Sequence, residues 1–332
     1  MSSLWPLGAA MTAAHLGAER QASPARILDA WWLAMRCNVP PKEYFVNRLW
    51  RAERRRRLDD YLYFTEDRLA LTVLNKAAGW QPGPCPVSDK RLFSDFCKTL
   101  DLPTPQIIHV WRQGVPERNS DLAYRDLWLK PSRGWGGTGA ERWVWKNGQF
   151  WRDGLALPPR GMARHIARHS RQHGETLVQE VLYSCPDHAP LIGPSPLCAR
   201  ILTGRRRNGL VDIVDAMAVW PNEGSVITQG GRIAMIDTIS GRIGTPHEAS
   251  ETCPSQGLEG TELPDWNRVL DHVRKGHGAL PHYVFLGWDV AFSEQGPVLL
   301  EANSGWGCFH FQVLPDHPIA DTPFASIAEE YI

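Results

Sequence analysis

A glycine-rich stretch constrains the fold of this chain more than any other segment. Residues 129–139 read LKPSRGWGGTG, so four glycines fall within six positions shortly after Lys130. The run that leads into them, DLWLKP, is apolar and strand-like, and the ERWVW that follows is extended in character. Glycine lets backbone amides approach a ligand closely, so the stretch is a candidate cradle for phosphate oxygens, and Lys130 adds a positive charge. The alternative is a plain glycine-rich hairpin turn.

The order of these residues separates the stretch from two common phosphate-binding loops. In a P-loop the lysine follows the glycines, whereas Lys130 precedes them, and a dinucleotide-binding loop opens a helix rather than a strand. The arrangement that remains is a flexible flap between two strands, which closes over a triphosphate.

A second constellation lies towards the C-terminal end, in LGWDVAFSEQGPVLLEANSGWG. Two strand-like runs flank a turn at residues 294–296, and this pattern predicts a hairpin that brings Asp289 beside Glu301 and Asn303. Side chains at positions i and i+2 of a strand point to the same face, so Glu301 and Asn303 project together. Two carboxylates and an amide oxygen are hard ligands, suited to Mg2+ that is bound partly by protein and partly by phosphate. Salt bridging at a strand end is the alternative.

Composition and charge argue against several classes of protein. Lysine plus arginine equal aspartate plus glutamate, at 36 each in 332 residues, so no overall charge favours nucleic acid or an acidic membrane. No window approaches 18 uninterrupted apolar residues, so we expect no membrane span. The seven cysteines are odd in number and never spaced as CxxC, which predicts a reducing, cytoplasmic location without a zinc site. Residues 1–21 lack a basic leader and are expected to form a disordered or weakly helical arm.

Helical and mixed segments divide the chain into three parts. Ser23 and Pro24 form a helix start signal, and apolar residues at helical spacing predict helices to about residue 78. The Pro/Gly-rich break QPGPCPVSDK marks a boundary near Pro86, after which strands and helices are mixed. We therefore predict an α+β protein: an N-terminal arm and helical region (1–86), a small subdomain with the glycine-rich flap (87–180) and a large subdomain with the metal site (181–332).

The order of these motifs resembles that of ATP-grasp enzymes. DKRLFSDFCKTLDLPTPQII resembles their Asp-Lys helix and proline-containing entry, LKPSRGWGGTG their phosphate flap, TLVQEVL their hinge strand, and DVAF with GPVLLEAN their metal hairpin. The N-terminal helices, CARILTG and GGRIAMIDTISGRIG further resemble the sugar-transfer associated ATP-grasp group. The likeness extends over residues 39–307 and implies an ATP-grasp fold, in which two α+β subdomains clasp ATP.

This resemblance implies an ADP-forming ligase that joins a small carboxylic acid to an amine through an acyl phosphate, in natural-product or surface-glycan biosynthesis. An ATP-dependent kinase and a nucleotide-binding module without turnover are the alternatives. The implied cofactors are ATP and two Mg2+ ions, the ions held by Asp289, Glu301 and Asn303. By position, the resemblance implies that ATP is contacted by Lys90, Lys130, Gly136, Gly137, Thr138, Gln179, Glu180, Val181, Leu182 and Asp187.

The amide-forming half of such a reaction needs a positive partner for its oxyanion. In peptide-forming relatives an arginine commonly lies two residues before the metal aspartate, but Gly287 occupies that position here. Arg200 in CARILTG is the preferred replacement, with Arg232 and Arg242 behind it.

Other features have simpler interpretations. His165, His169 and His173 recur at four-residue spacing and predict an exposed helix face rather than a metal site. Cys308 follows the metal hairpin and is interpreted as a buried thiol rather than a nucleophile. The Trp-rich N-terminal helices could supply the face of a homodimer.

Overall fold

The structure is a computed structural model, and the residues that it describes cover most of the chain. They are 23–118, 122–134, 137–220, 232–248, 251–252, 257–308, 310–314 and 317–332, with the side chains of 64–68, 248 and 251–252 outside the description. The predicted N-terminal arm and Gly136 of the flap therefore lie outside the described residues.

The N-terminal part of the described chain is helical, as its pattern predicts. Ser23 caps the first helix, because its side-chain oxygen accepts a 3.3 Å hydrogen bond from Arg26 N, and Pro24 is the first helical residue. Buried Leu33 and Tyr44 contribute to a small core of their own. The helices are α1 (Pro24–Cys37), α2 (Pro41–Val46), α3 (Ala52–Arg55) and α4 (Phe64–Ala77), with a 3-10 turn over Leu58–Asp60.

The first of two antiparallel sheets lies between residues 107 and 180, and helix α5 (Lys90–Thr99) precedes it. Its strands are β1 (Ile107–Arg112), β2 (Val115–Pro116), β3 (Leu127–Pro131), β4 (Glu141–Lys146), β5 (Gln149–Arg152), β6 (Leu155–Leu157) and β7 (Glu175–Glu180), in the spatial order β2-β1-β7-β3-β4-β5-β6. Asn147 and Gly148 both have positive φ, as a two-residue turn between β4 and β5 requires. Helix α6 (Pro159–His173) packs on one face, where Met162 and Ile166 join the core of this sheet.

The second sheet lies between residues 197 and 303. Its strands are β8 (Leu197–Arg205), β9 (Val211–Trp220), β10 (Arg232–Met235), β11 (His247–Glu248), β12 (Glu251–Thr252), β13 (Phe285–Ser293) and β14 (Gly296–Asn303), in the order β12-β11-β10-β9-β8-β13-β14. The accompanying helices are α7 (Ala189–Ile192), α8 (Trp266–Gly278), α9 (His310–Val313) and α10 (Phe324–Glu329), with a 3-10 turn over Ile319–Asp321. Two antiparallel sheets with separate helices give the α+β class that the sequence predicts.

Each face of the second sheet has its own core. On one face, Val269 of α8 and Phe93 of α5 pack against strand residues. On the other face, the C-terminal segment contributes Trp306 and Phe311. Alternate residues of a strand point to opposite faces. Arg200 on β8 therefore shares this second face with Leu202, which belongs to the core there. Among the described residues, no helix has the length and apolar character that a membrane crossing needs.

Candidate active site

Three charged side chains lie in one row across the second sheet. Glu301 of β14 is opposite Asp289 of β13, and Asp289 is opposite Arg200 of β8. Because directly opposed residues of an antiparallel pair share a face, all three point to the same side. Asn303 shares that side, and its Nδ2 lies 3.2 Å from Glu301 Oε1 and 3.4 Å from Asp289 Oδ2. The structure thus brings together the three residues predicted to hold the metal.

Arg200 binds Asp289 through two hydrogen bonds. Nε donates to Oδ1 at 2.7 Å and Nη2 donates to Oδ2 at 2.8 Å, a bidentate geometry that fixes the plane of the guanidinium. Burial raises the pKa of Asp289 above its ordinary value, although Arg200 opposes this rise. The charge of Asp289 in turn raises the pKa of Arg200. A third N–H, on Nη1, donates to the Trp306 carbonyl at 3.4 Å, so two of the five guanidinium donors remain available.

Two lysines face the carboxylates from the other side of the site. Lys90 Nζ, at the start of α5, lies 3.3 Å from Glu301 Oε2. Burial opposes ionisation of Glu301, but the charges of Lys90 and Lys130 outweigh it and lower the pKa of this carboxyl. Burial lowers the pKa of Lys130 to about 8, although Glu301 and Asp289 both act to raise it. Lys90 and Lys130, which both precede the second sheet in the chain, therefore place positive charge beside the acidic hairpin.

Lys90 also joins the glycine-rich flap to this cluster. Its Nζ donates a 2.7 Å hydrogen bond to the Gly134 carbonyl oxygen, and its backbone N donates to the Ser132 carbonyl oxygen at 2.8 Å. Gly134 has a φ of 121°, a conformation that side chains disfavour. One ammonium group therefore lies between the flap and Glu301, so two segments far apart in the sequence meet.

The first sheet presents a predicted adenine contact on the same face as Lys130. Gln179 of β7 is opposite Trp128 of β3, and Trp128 lies two residues before Lys130. Gln179 is buried. These three side chains project from the face of the first sheet that is opposite the core it forms with α6.

The remaining predicted nucleotide contacts among the described residues lie in the flap, at the end of β7 and in the loop that follows it. Glu180 follows Gln179, and its Oε1 accepts a 2.7 Å hydrogen bond from Gln106 N. Asp187 is exposed in the loop between β7 and β8. The others are exposed in the flap (Gly137 and Thr138) or half-buried just after β7 (Val181 and Leu182).

The three candidate arginines occupy different places. Arg200 belongs to the charged row. Arg232 lies two residues before Ala234, which packs in the core on the opposite face of the sheet, so Arg232 projects away from Arg200. Arg242 lies in the turn after β10, where its Nη2 donates to Glu262 Oε1 at 2.9 Å. Of these three, the structure brings Arg200 alone into the hydrogen-bonded cluster.

The missing side chain at Gly287 makes room for Trp306. A Cβ on Gly287 would lie 2.5 Å from Trp306 Cβ, closer than real contacts allow. Trp306 is buried, and its carbonyl oxygen is the one that Arg200 contacts. An arginine at position 287 would displace the tryptophan, and the guanidinium beside Asp289 comes instead from the neighbouring strand β8.

The donor set fits a hard divalent cation. Two carboxylates and one amide share a face within hydrogen-bond distance, and Mg2+ prefers such oxygen ligands. Asp289 Oδ1 accepts one hydrogen bond, from Arg200, and keeps a second lone pair. Rotation of the Asn303 amide would present its oxygen in place of nitrogen and free a lone pair on Asp289 Oδ2. The described residues contain no group of three or more His, Cys, Asp or Glu side chains that could hold a metal ion. The two carboxylates and one amide of Asp289, Glu301 and Asn303 suit an ion whose remaining ligands are phosphate oxygens and water.

A histidine that the sequence assigned to an exposed helix face contacts the flap instead. His169 of α6 is buried, so that prediction is wrong for this residue. Its Nε2 donates to the Gly139 carbonyl oxygen at 2.7 Å, and its Nδ1 accepts from the Thr176 hydroxyl at 2.7 Å. Burial lowers the pKa of His169, which favours this neutral form. Its neighbour His165 lies 2.6 Å from Glu141 Oε2.

The two sheets, with the flap of one facing the carboxylate hairpin of the other, form the ATP-grasp fold. A sequence model of the family described as sugar-transfer associated ATP-grasp matches residues 84–321. This match covers well over half of the chain, and the chain belongs to that family. The resemblance drawn from the motifs is therefore confirmed. A comparison with curated proteins found no significant match.

Solved structures to which the chain is similar include three proteins. An L-amino acid ligase from Bacillus licheniformis is 15% identical with a TM-score of 0.42, over 70% of this chain and 46% of its own. D-alanyl-alanine synthetase A from Vibrio cholerae is 10% identical with a TM-score of 0.45, over 74% and 65%. D-alanine-D-alanine ligase from Helicobacter pylori is 13% identical with a TM-score of 0.42, over 74% and 60%. The chain thus spans about half to two-thirds of the length of these proteins.

Proposed function

We propose that this protein is an ATP-dependent ligase that forms an amide bond between a carboxylic acid and an amine. The observation that carries the proposal is the position of Lys90 Nζ, 2.7 Å from the Gly134 carbonyl oxygen and 3.3 Å from Glu301 Oε2. A glycine-rich flap and an oxygen-rich hairpin are thereby held within reach of one triphosphate.

In the proposed first step, an oxygen of the acid attacks the γ-phosphorus of ATP, and ADP leaves. The bond between the γ-phosphorus and the bridging oxygen breaks, and an acyl phosphate forms. Lys90 and Lys130 neutralise charge on the phosphates, while amides of the flap, at Gly137 and Thr138, close over them. Asp289, Glu301 and Asn303 would hold Mg2+, which when bound supplies charge neutralisation on the phosphate oxygens.

In the proposed second step, the amine attacks the carbonyl carbon of the acyl phosphate. The new C–N bond forms, the C–O bond to phosphate breaks, and the amine loses a proton. Arg200 has two N–H donors left after its bonds to Asp289 and Trp306, and these stabilise the oxyanion that develops on the carbonyl oxygen.

The biological setting of this chemistry is also part of the proposal. The family is described as sugar-transfer associated, which favours substrates from surface-glycan or natural-product biosynthesis. A cytoplasmic location would supply the ATP.

The proposal is tested by a substrate screen with purified protein, ATP and Mg2+. Pools of carboxylic acids and primary amines are assayed for ADP release, and the masses of the products are measured by mass spectrometry. We expect ADP release that requires the acid, and a product whose mass is that of acid plus amine minus water. A stable phosphorylated product that no amine converts to an amide would make the protein a kinase, and ADP release by no pool would contradict turnover. The Asp289→Asn variant serves as the inactive reference.

A further inference from the structure

A cavity of about 350 Å3 lies beside the candidate active site on the second sheet. The residues around it include Asp215, Met235, Asp237, Arg242 and His317, together with two isoleucines. None of these belongs to the cluster that faces the flap. The cavity therefore offers chemistry that the phosphate-side residues do not use.

The strand register places this cavity next to Arg200. Arg200 is opposite Met217 on β9, and Met217 is opposite Met235 on β10, so Met235 lies two strand spacings from Arg200, about 10 Å. Asp215 lies two residues from Met217 and opposite Leu202. Asp215 is therefore a diagonal neighbour of Arg200 on the same face, with about 7 to 8 Å between them.

Asp215 is a buried carboxylate on the wall of this cavity. The residue is 9% exposed, and Oδ1 accepts one hydrogen bond, from Ala216 N at 2.8 Å. Within the part of the chain that the structure describes, no Lys or Arg forms an ion pair with it. Burial raises the pKa of Asp215 to about 6, and the charge of His317 opposes this only in part. A buried charge of this kind is costly unless it is paired.

The other charged groups around the cavity are already engaged. Asp237 Oδ1 accepts hydrogen bonds from the backbone N of Ile239 and from both the backbone N and the hydroxyl of Ser240. Arg242 binds Glu262, and Nδ1 of His317 donates to the carbonyl oxygen of the next residue at 3.1 Å. Asp237 is exposed to water, whereas Asp215 is buried with one hydrogen bond, so Asp215 is the acid of this wall that would gain most from a cationic ligand.

We propose that this cavity is the subsite for the amine substrate and that Asp215 binds its amino group, an assignment that rests on the proposed function. Phosphate, acyl and amine subsites then follow one another across one sheet face, from Glu301 through Arg200 to Asp215. An amine bonded to Asp215 and a carbonyl oxygen bonded to Arg200 would lie in contact, because the two side chains are diagonal neighbours. Met235 and the isoleucines would contact the apolar part of the amine, and the volume suits a small molecule.

The test separates acid activation from amine use. Hydroxylamine is a small neutral nucleophile that traps an acyl phosphate as a hydroxamate, so it reports the first step without a charged anchor. We expect the Asp215→Asn variant to match the parent in hydroxamate formation, but to raise the KM for the amine identified by the substrate screen about tenfold or more, because one charge-assisted hydrogen bond is lost. The control is Asp271→Asn, an exposed acid on α8. An unchanged KM for the amine in Asp215→Asn would overturn the assignment.

A binding measurement keeps this result distinct from failure of the proposed function. Saturation-transfer NMR compares n-butylammonium with n-butanol, which have the same length but differ in charge. The parent protein should bind the ammonium in preference to the alcohol, and Asp215→Asn should lose that preference even if no substrate screen yields ADP. A parent that shows no preference, or a variant that keeps it, would remove the amine subsite whatever reaction the enzyme catalyses.

Discussion

The row of charged residues that runs from Glu301 on β14 through Arg200 to Asp215 on the middle strand β9 has two ends, and a buried aspartate has different partners at each. At the β13–β14 end, Asp289 receives two hydrogen bonds from Arg200, and Glu301 beside it faces Lys90. Towards β10, Asp215 receives one hydrogen bond, from a backbone amide. Both carboxylates are desolvated, and burial raises the pKa of each.

This difference shows which charges the fold neutralises by itself. The carboxylates that face the flap are paired with cations of the protein, so their ionised form is supported before any ligand arrives. Among the described residues no lysine or arginine neutralises the charge of Asp215, and in the proposed amine subsite a ligand would do so. Uncompensated burial of this kind is a signature of binding sites rather than of structural ion pairs.

The largest effect should follow from a change at the paired end. Glu301→Gln removes a carboxylate from the row while keeping its shape, and we expect ADP formation to fall by about 10³-fold or more, since cation-assisted charge neutralisation is worth several kcal/mol. The rate of ADP release at saturating ATP measures this. Glu294→Gln, in the exposed turn of the same hairpin, should leave the rate unchanged. Near-parental turnover in Glu301→Gln would place the reacting phosphates elsewhere.

The next effect is on stability and concerns the Arg200–Asp289 pair. Arg200→Ala leaves a buried carboxylate without its cation and should reduce the free energy of unfolding by about 3 kcal/mol, the lower end for a broken buried pair. The double variant Arg200→Ala/Asp289→Asn should recover much of this loss, because the unpaired charge is gone. Urea denaturation measures both.

A matched control for this pair lies on the surface of the same sheet. Arg206 binds Asp212 and Glu330 at comparable distances, 2.7 Å each, but the side chains of these acids are 33% and 30% exposed, against 17% for Asp289. Arg206→Ala should reduce stability by less than about 1 kcal/mol. Equal losses in Arg200→Ala and Arg206→Ala would mean that the inner pair is no more protected from water than the outer one.

At the Asp215 end of the row, we expect a substitution to raise the free energy of unfolding, whereas Arg200→Ala lowers it. The pKa of Asp215 is raised to about 6 in the folded protein, so the folded state binds its proton more tightly than the unfolded chain does. This group therefore destabilises the fold progressively as pH rises from about 4 to 6, and the penalty of about 3 kcal/mol is complete above that range. Asp215→Asn should raise the free energy of unfolding by up to this amount at pH 8 and by little at pH 4. A variant less stable than the parent at pH 8 would indicate a hidden cationic partner.

The paired end could be predicted from the sequence in part, and the limits are physical. Strand alternation and one hairpin turn suffice to put Asp289, Glu301 and Asn303 on one face, because all three belong to neighbouring strands of a single hairpin. The partnership of Asp289 with Arg200 depends on which strand lies beside β13, and that long-range order is not a property of any local pattern. The sequence shows that glycine replaces an arginine at position 287. It does not show the cause, which is the packing of Trp306.

The burial of Asp215 could hardly be predicted from the sequence. Asp215 lies in an apolar strand, VDIVDAMAVW, where an acid could equally be half-buried and paired with an arginine, as Asp212 is. A bulge in the β8–β9 pairing, between Leu202 and Thr203, intervenes between the two acids, so their spacing along β9 does not determine their environments. The burial of Asp215 without a basic partner and the ion pair of Asp212 follow from packing that only the folded chain shows.

The smallest predicted effect concerns the flap that covers the paired end. His169→Phe keeps the volume of the ring but removes the Nε2 donor that holds the Gly139 carbonyl, a bond worth about 1 kcal/mol. The flap should then close less favourably over the nucleotide, so the KM for ATP should rise about fivefold while kcat changes less. Steady-state kinetics at varied ATP measures the split, and Gln172→Ala, exposed on the same helix, is the control. The effect should be confined to ATP, because His169 touches the phosphate side of the cleft and no residue around the Asp215 cavity. An equal rise in the KM for the amine would show that the two ends are coupled through the flap and would end their separation into independent subsites.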